Sequence, residues 1–393
     1  MFKNKTILYF SRESAVYFHY LLPILTKTGG MFVTESESLY RYVSSRFPLI
    51  ACRLDHRRHL SRYRPGAVVL AGDERKIHPK YRLVQVFHGL ADKRAVYDKR
   101  NFKVRESLPF RLSRFIERRL PARFHIFSLL SDDLWPPFRR LRLDRLIQDR
   151  YALLCLTGKH MEEKLRAAGV LSDHNWKKIG FPRLDVVTNR GLDRAAILAE
   201  LGLDPARETI LYAPTWHGVG RINLSSIPDL GRDVVAAIGD DVNFIFRPHP
   251  NVIANREFPE AVAGIIEHTR RRAHSVFPDP YRDAIPLLFV ADLLITDFSS
   301  TAVDFLALDR PMIFLDHLGE KWSDPDLVEV WIRAAGEIAR NRTELEEALA
   351  RCFQHPESKS ELRKKFRDYF FYTLDGKASE RAAAAIIELA RNS

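Results

Sequence analysis

The chain has 393 residues and little cysteine. Cys52, Cys155 and Cys352 are an odd set, far apart, with no CxxC pair. That argues against a disulfide scaffold and a cysteine zinc site, and for a reducing compartment. No apolar run reaches the roughly 18–20 residues that span a bilayer. The first 25 residues carry Arg12, Glu13 and His19, and no small-residue cleavage site follows them. They read as a strand at Thr6–Phe10, a turn and an amphipathic helix, not as a secretory signal. The expectation is a protein that stays in the cytoplasm. The sequence has no GxxxxGK(S/T) loop and no GxGxxG fingerprint, so neither phosphate-binding signature is available. It has no HExxH and no tight His/Cys cluster, so no metal site is expected. Repeats and low-complexity tracts are also missing.

What is abundant is positive charge. The net charge is +12 and the pI about 9.6. Such a balance points to anionic company: nucleic acid, acidic lipid or phosphorylated substrates. Much of it is local, since residues 93–150 hold 16 Lys and Arg against 7 Asp and Glu. Within the basic segment 99–150, arginines alternate with apolar side chains: Arg111, Arg114, Arg118 and Arg119 with Phe110, Leu112, Phe115, Ile116 and Leu120. An interfacial helix needs that mixture, with cations among headgroups and apolar groups in the acyl boundary. The alternative is a solvated helix packed on the protein's own core. Arg111, Arg114, Phe115, Arg118 and Arg119 are the candidate membrane contacts. No helix-turn-helix, zinc finger or aromatic RNA-binding signature accompanies the charge, so nucleic acid is not expected.

Apolar at 46%, the chain has material for packed cores, and its length suits two domains. Short apolar runs alternate with helix-like stretches. Strands are expected at Thr6–Phe10, Met31–Thr34, Leu49–Leu54, Ala67–Ala71, Leu83–Phe87, Ala152–Thr157 and Lys177–Gly180. A second set is expected at Thr209–Ala213, Asn243–Arg247, Ser275–Phe277, Leu293–Thr296 and Pro311–Leu315. Many are continuous rather than alternating, as parallel strands covered on both faces are. The order predicts doubly wound α/β sheets. The polar stretch near Thr188 divides them into an N-terminal domain, 1–188, and a C-terminal domain, 189–375. A last helix, 376–393, is free to pack back on the first domain.

Polar residues stand where predicted strands end, the edge at which open α/β sheets bind ligands. His88-Gly89 follows the Leu83–Phe87 strand. A histidine there can act as a general base near neutral pH, or simply tie down a loop. Thr215 and His217 follow Ala213-Pro214. Arg247-Pro248-His249-Pro250 holds an arginine and a histidine on a stiff backbone, which suits phosphate but is also an ordinary proline turn. Asp297-Phe298-Ser299-Ser300-Thr301 ends an apolar strand with hydroxyls that open a helix and precede Asp304. That run is an N-cap, an anion site, or both.

Taken together, these stretches resemble the CDP-glycerol glycerophosphotransferase family of teichoic-acid and capsule synthesis. The resemblance rests on His88-Gly89, Gly180-Phe181-Pro182-Arg183-Leu184-Asp185, Ala213-Pro214-Thr215-Trp216, Arg247-Pro248-His249-Pro250, Asp297-Phe298-Ser299-Ser300 and the ending Asp375 to Arg381. It implies a GT-B-like fold, two Rossmann-like doubly wound parallel-sheet domains facing a cleft. The N-terminal domain would take the acceptor and the C-terminal domain the donor nucleotide. It implies catalytic roles for His88 and His249. Donor nucleotide and phosphates would meet Arg247, Thr215, His217, Asp297, Ser299, Ser300 and Thr301. Further cleft candidates are Gly89, Pro182, Arg183, Asp185 and Asp304. His217 stands where the family commonly has arginine. The implied reaction moves glycerol phosphate, or a related polyol phosphate, from a CDP-activated donor to a hydroxyl of a polysaccharide or lipid-linked acceptor. CMP is released. CDP-glycerol or another CDP-polyol is then a substrate, and no cofactor or metal is expected. The place implied is cytoplasmic and peripheral, on the inner face of an anionic membrane. The rival reading is a nucleotide-sugar glycosyltransferase or epimerase on the same fold.

Overall fold

The computed structural model describes residues 6–12, 15–72, 77, 81–86, 151–167, 171, 174–217, 223–319 and 328–392. Among these residues two sheets form, and every strand pairing is parallel. The first holds β1 Thr6–Phe10, β2 Met31–Thr34, β3 Cys52–Leu54, β4 Pro65–Leu70, β5 Leu83–Val86, β6 Tyr151–Leu156 and β7 Trp176–Lys178. Its order is β3-β2-β1-β4-β5-β6-β7. The second holds β8 Thr209–Tyr212, β9 Asn243–Phe246, β10 Ser275–Val276, β11 Leu293–Thr296, β12 Met312–Leu315 and β13 Glu337–Ala339. Its order, β10-β9-β8-β11-β12-β13, repeats the pattern of the first. Each sheet grows outward on one side, then restarts beside its first strand. The direction reverses between β1 and β4 and between β8 and β11, and such a reversal opens a crevice at the strands' carboxyl ends.

The apolar runs explain both faces. Leu8 and Phe10 join one core cluster, while Ile7 and Tyr9 point the other way into a second. Strand geometry demands this alternation. A third cluster, with Ile210, Tyr212, Phe244 and Phe246, covers the far face of the second sheet. The cluster containing Ile7 and Tyr9 does not stop at the first domain. It continues through Phe181, Leu184, Ile285 and Leu288 to Leu211, Ile245 and Leu294. A fully buried side chain of this size contributes roughly 1.5–3 kcal/mol relative to exposure. The two domains are therefore joined by an apolar seam.

The helix expected after Thr6–Phe10 runs Ala15–Thr28 and is largely enclosed. Phe18, His19, Tyr20, Leu21, Ile24 and Leu25 are all buried. It is wedged between the first sheet and the helix Ala378–Arg391, whose Ala382, Ala383 and Ala385 allow close approach. Both ends of Ala378–Arg391 are tied to the first domain. Asp185 accepts from the backbone N–H groups of Ala378 (3.1 Å) and Ser379 (2.6 Å). At the other end Arg82 donates to the carbonyls of Leu389 (2.9 Å) and Asn392 (2.7 Å). These are the orphan groups of the helix termini.

Beyond shifts of one or two residues at strand ends, as in β4 and β7, two strands differ from expectation. The run from Leu49 enters the sheet only at Cys52, because Ile50 N–H closes a turn onto the Phe47 carbonyl and Leu49 is 98% exposed. β13 has no sequence signal. Its three residues are ordered by pairing with β12, Phe314 opposite Ile338.

Candidate functional site

The loops after β8, β9 and β11 meet at the second sheet's reversal. They are bound to one another by backbone-directed hydrogen bonds. Thr296 Oγ1 donates to the Ala213 carbonyl (2.7 Å), and His249 N–H to the Pro214 carbonyl (3.0 Å). Asp297 is the tie at the centre. Its Oδ1 accepts from Thr215 N–H (2.8 Å), and its Oδ2 from both the N–H and the hydroxyl of Ser226 (each 2.8 Å). Ser226 in turn meets the Tyr212 hydroxyl at 2.9 Å. Burial pushes the Asp297 pKa up, while the donors from Ser226 and Thr215 pull against it. With both oxygens committed to the protein, Asp297 braces these loops from beneath.

The residues above this brace have distinct settings. His249 Nδ1 accepts from Asn251 N–H (3.1 Å), so the neutral ring carries its proton on Nε2. The ring stacks on Trp216, with centroids 6.1 Å apart. That tautomer can donate to a phosphate oxygen. His217 N–H is held by Glu257 Oε2 at 2.9 Å. Thr215 and Ser299 are buried, and Ser300 is half-buried at the start of the helix Thr301–Phe305. Ser299 Oγ donates to Thr301 Oγ1 (3.0 Å) and accepts from Thr301 N–H (3.3 Å). This helix has five residues, too short for much axial dipole, so the hydroxyls and local N–H groups are what it offers an anion.

Behind these loops lies a buried charge cluster that joins the domains. Gly180 takes φ +87°, a left-handed turn that glycine permits, and the chain then places Arg183 in the interface. The Arg183 guanidinium donates to Asp283 Oδ1 and lies 3.9 Å from Asp304 Oδ2. It covers the Tyr20 ring at 4.1 Å. His19 stands 3.9 Å from the other Asp283 oxygen and 3.0 Å from the Tyr42 hydroxyl. Arg247, leaving β9, enters the same region. Burial lowers the Arg247 pKa to about 10, helped by the like charge of Arg183. Burial raises Asp304 to about 7 despite the nearby arginines. Burial would also lift Asp283, but Arg183 and His19 hold it below the usual carboxylate range. Burial keeps His19 below its ordinary value.

The structure thus brings Thr215, Trp216, Arg247, His249, Asp297, Ser299 and Ser300 to one sheet edge, with Arg183 and Asp304 just behind. It does not bring Asp185 there. Asp185, expected in the cleft, is spent on the N-terminus of Ala378–Arg391, and Pro182 offers its carbonyl to Ser379 of that helix. His88, Gly89, Arg111, Arg114, Phe115, Arg118 and Arg119 lie outside the described residues. Sequence reasoning missed His19, Tyr20, Ser226 and Asp283. Asp283 alone carried a local signal, an aspartate before the apolar helix Ala284–Val290, whose Ile285 N–H it caps at 3.2 Å. Among the described residues no group of His, Cys, Asp and Glu has metal-binding geometry, and no helix is long and apolar enough to cross a membrane.

Two linked Rossmann-like domains, each with a reversal in its parallel sheet, define the GT-B fold. Residues 139–388 match the family model described as CDP-glycerol:poly(glycerophosphate) glycerophosphotransferase, and the chain belongs to that family. His88 precedes the matched stretch. The teichoic acid glycerol-phosphate transferase of Staphylococcus aureus (strain NCTC 8325 / PS 47) is 28% identical over 222 residues, 53% of each chain. The teichoic acid poly(ribitol-phosphate) polymerase of Bacillus spizizenii (strain ATCC 23059 / NRRL B-14472 / W23) is 25% identical over 53% of this chain and 33% of its own. The chain thus spans about half or less of the length of these relatives. Among solved structures, the wall teichoic acid polymerase TagF superposes with TM-score 0.69 at 21% identity, over 99% of this chain and 90% of that one. A TagF variant soaked with CDPG gives 0.68 at 19%, with the same coverage. The S. aureus MnaA–UDP structure gives 0.58 at 15%, over 96% and 94%.

Proposed function

We propose that this chain transfers glycerol phosphate, or a related polyol phosphate, from a CDP-activated donor to a hydroxyl of a cell-envelope polymer or lipid-linked acceptor. The observation that carries the reading is the convergence of Arg247, His249, Ser299 and Ser300 on one reversal point, in a chain of this family. The acceptor hydroxyl gives its proton to His88 as its oxygen attacks the β-phosphorus of the donor. The bond from that phosphorus to the bridging oxygen breaks, and CMP leaves with the electron pair. Such transfer depends on positioning and charge stabilisation. Arg247, the hydroxyls and the Nε2–H of His249 supply donors for the phosphate oxygens, without a resident metal in this reading.

The test is nucleotide release from a panel of CDP-glycerol, CDP-ribitol and UDP-GlcNAc, with and without EDTA, reading CMP from the first two and UDP or UMP from the third. CMP from a CDP-polyol, at a rate EDTA does not change, is the expected result. Turnover of UDP-GlcNAc alone would replace this reading with that of an epimerase or glycosyltransferase, a fold likeness that MnaA motivates.

The same reading places the protein on the cytoplasmic face of an anionic membrane, through Arg111, Arg114, Phe115, Arg118 and Arg119. Each cation near such a surface contributes about 1 kcal/mol, screened by salt. Wild type is expected to float with acidic vesicles, less so at high salt. Arg114→Glu, Arg118→Glu and Arg119→Glu together should abolish most flotation while sparing turnover of a short soluble acceptor. Unchanged flotation would make the segment an ordinary structural one.

A further inference from the structure

Arg247 faces an unusual electrostatic arrangement. Its side chain is 9% exposed, and its Nε has no hydrogen-bond partner among the described residues. A buried cation is costly unless something compensates it. Two acids, Asp283 and Asp304, act on Arg247 through space, but among the described residues their close ion-pair contacts run to Arg183 instead. Both are turned to Arg183. Asp283 Oδ1 takes the Arg183 hydrogen bond, and Asp304 Oδ2 lies 3.9 Å from the same guanidinium. Arg183 is fixed in this pose by the Tyr20 ring 4.1 Å beneath it, a contact within the first domain. Arg183 therefore stands closest to both acids, and Arg247 feels them only at a distance.

We infer that Arg183 is a positioning residue: by holding Asp283 and Asp304 to itself, it reserves the positive charge of Arg247 for the diphosphate of a nucleotide ligand. Without Arg183, Arg247 is the buried arginine among the described residues that shares the surroundings of both freed acids. Pairing with it would cancel the charge offered to the ligand. Arg183 also adds its own field to the crevice, since like charges close together raise the local potential. The inference rests on the donor site proposed above, and adds a residue that supports the site without touching the ligand.

The experiment titrates CDP, UDP and inorganic pyrophosphate into the full chain by calorimetry. Arg183→Leu is expected to weaken CDP binding about 10- to 100-fold, the range for losing a charge-assisted contact to phosphate. Adding Asp283→Asn and Asp304→Asn to Arg183→Leu removes the released charges and should recover most of that loss. Asparagine at 283 can still cap the helix Ala284–Val290. A purely structural Arg183 predicts that the added changes leave the loss in place or deepen it. If Arg183→Leu does not fold, Arg183→Lys is the substitute. Its single ammonium cannot span both acids, so an intermediate loss, relieved by Asp304→Asn, is expected. Wild-type affinity in Arg183→Leu, or a loss that the asparagines do not relieve, overturns the inference. Binding of UDP or pyrophosphate but not CDP overturns the proposed donor alone, and the same series is then read on the ligand that binds. Binding of none of the three overturns both.

Discussion

Asp297→Ala is expected to destabilise the second domain by about 3–5 kcal/mol, the cost of removing one partner from a buried charged network. The carboxylate accepts three hydrogen bonds, from Thr215 N–H and from the N–H and hydroxyl of Ser226. Alanine leaves all three donors buried without their acceptor, and each orphan is expensive. Asn is little better. It keeps an acceptor for Thr215 but turns an NH₂ toward the Ser226 N–H, donor against donor. The measurement is urea unfolding, with the midpoint falling in both variants and the slope unchanged. A midpoint equal to wild type in Asp297→Ala would show that the loops do not depend on this brace. Since Thr215 and Ser226 are positioned by Asp297, donor affinity should fall as well, at temperatures where the variant remains folded.

His88→Ala and His249→Ala are each expected to lower turnover by roughly 10²–10⁴-fold, the range for an acid–base residue. Their binding effects should differ. His88, on the acceptor side of the proposed reaction, should leave donor affinity near wild type. His249 should weaken it, because with Nδ1 accepting from Asn251 the neutral ring's proton is on Nε2, which can donate to a phosphate oxygen. Single-turnover CMP release with separate donor titrations distinguishes the two. Near-normal turnover in either purified variant removes that histidine from the mechanism. Equal loss of donor affinity in both would put His88 in the donor site.

The same contrast between local and distant partners divides what could be read from the chain. The fold class was legible because its signal is local: strands such as Leu293–Thr296 are apolar throughout, and parallel strands buried on both faces need that pattern. So were the ends of β8, β9 and β11, where Pro214, Pro248 and the Asp297-Phe298-Ser299 run mark the turn from strand to loop. The three loops of the candidate site could be assembled from sequence, because a doubly wound order sends every strand's carboxyl end to one edge.

What the sequence left open depends on partners far along the chain. Arg183 and Asp283 are a hundred positions apart, and Asp185 meets Ser379 across a gap nearly twice as long. Both aspartates bond helix N–H groups, but one serves its own helix and the other a distant one, and no local pattern separates those cases. His19 reads as one polar interruption in an apolar stretch, and only the packing of the second domain against its helix gives it Asp283 as a neighbour. β13 exists because β12 offers an open edge. Strand pattern and turn chemistry, set by neighbouring residues, belonged to the sequence alone. The choice of which buried acid answers which arginine belonged to the tertiary structure, because a charge removed from water is governed by whatever the fold places beside it.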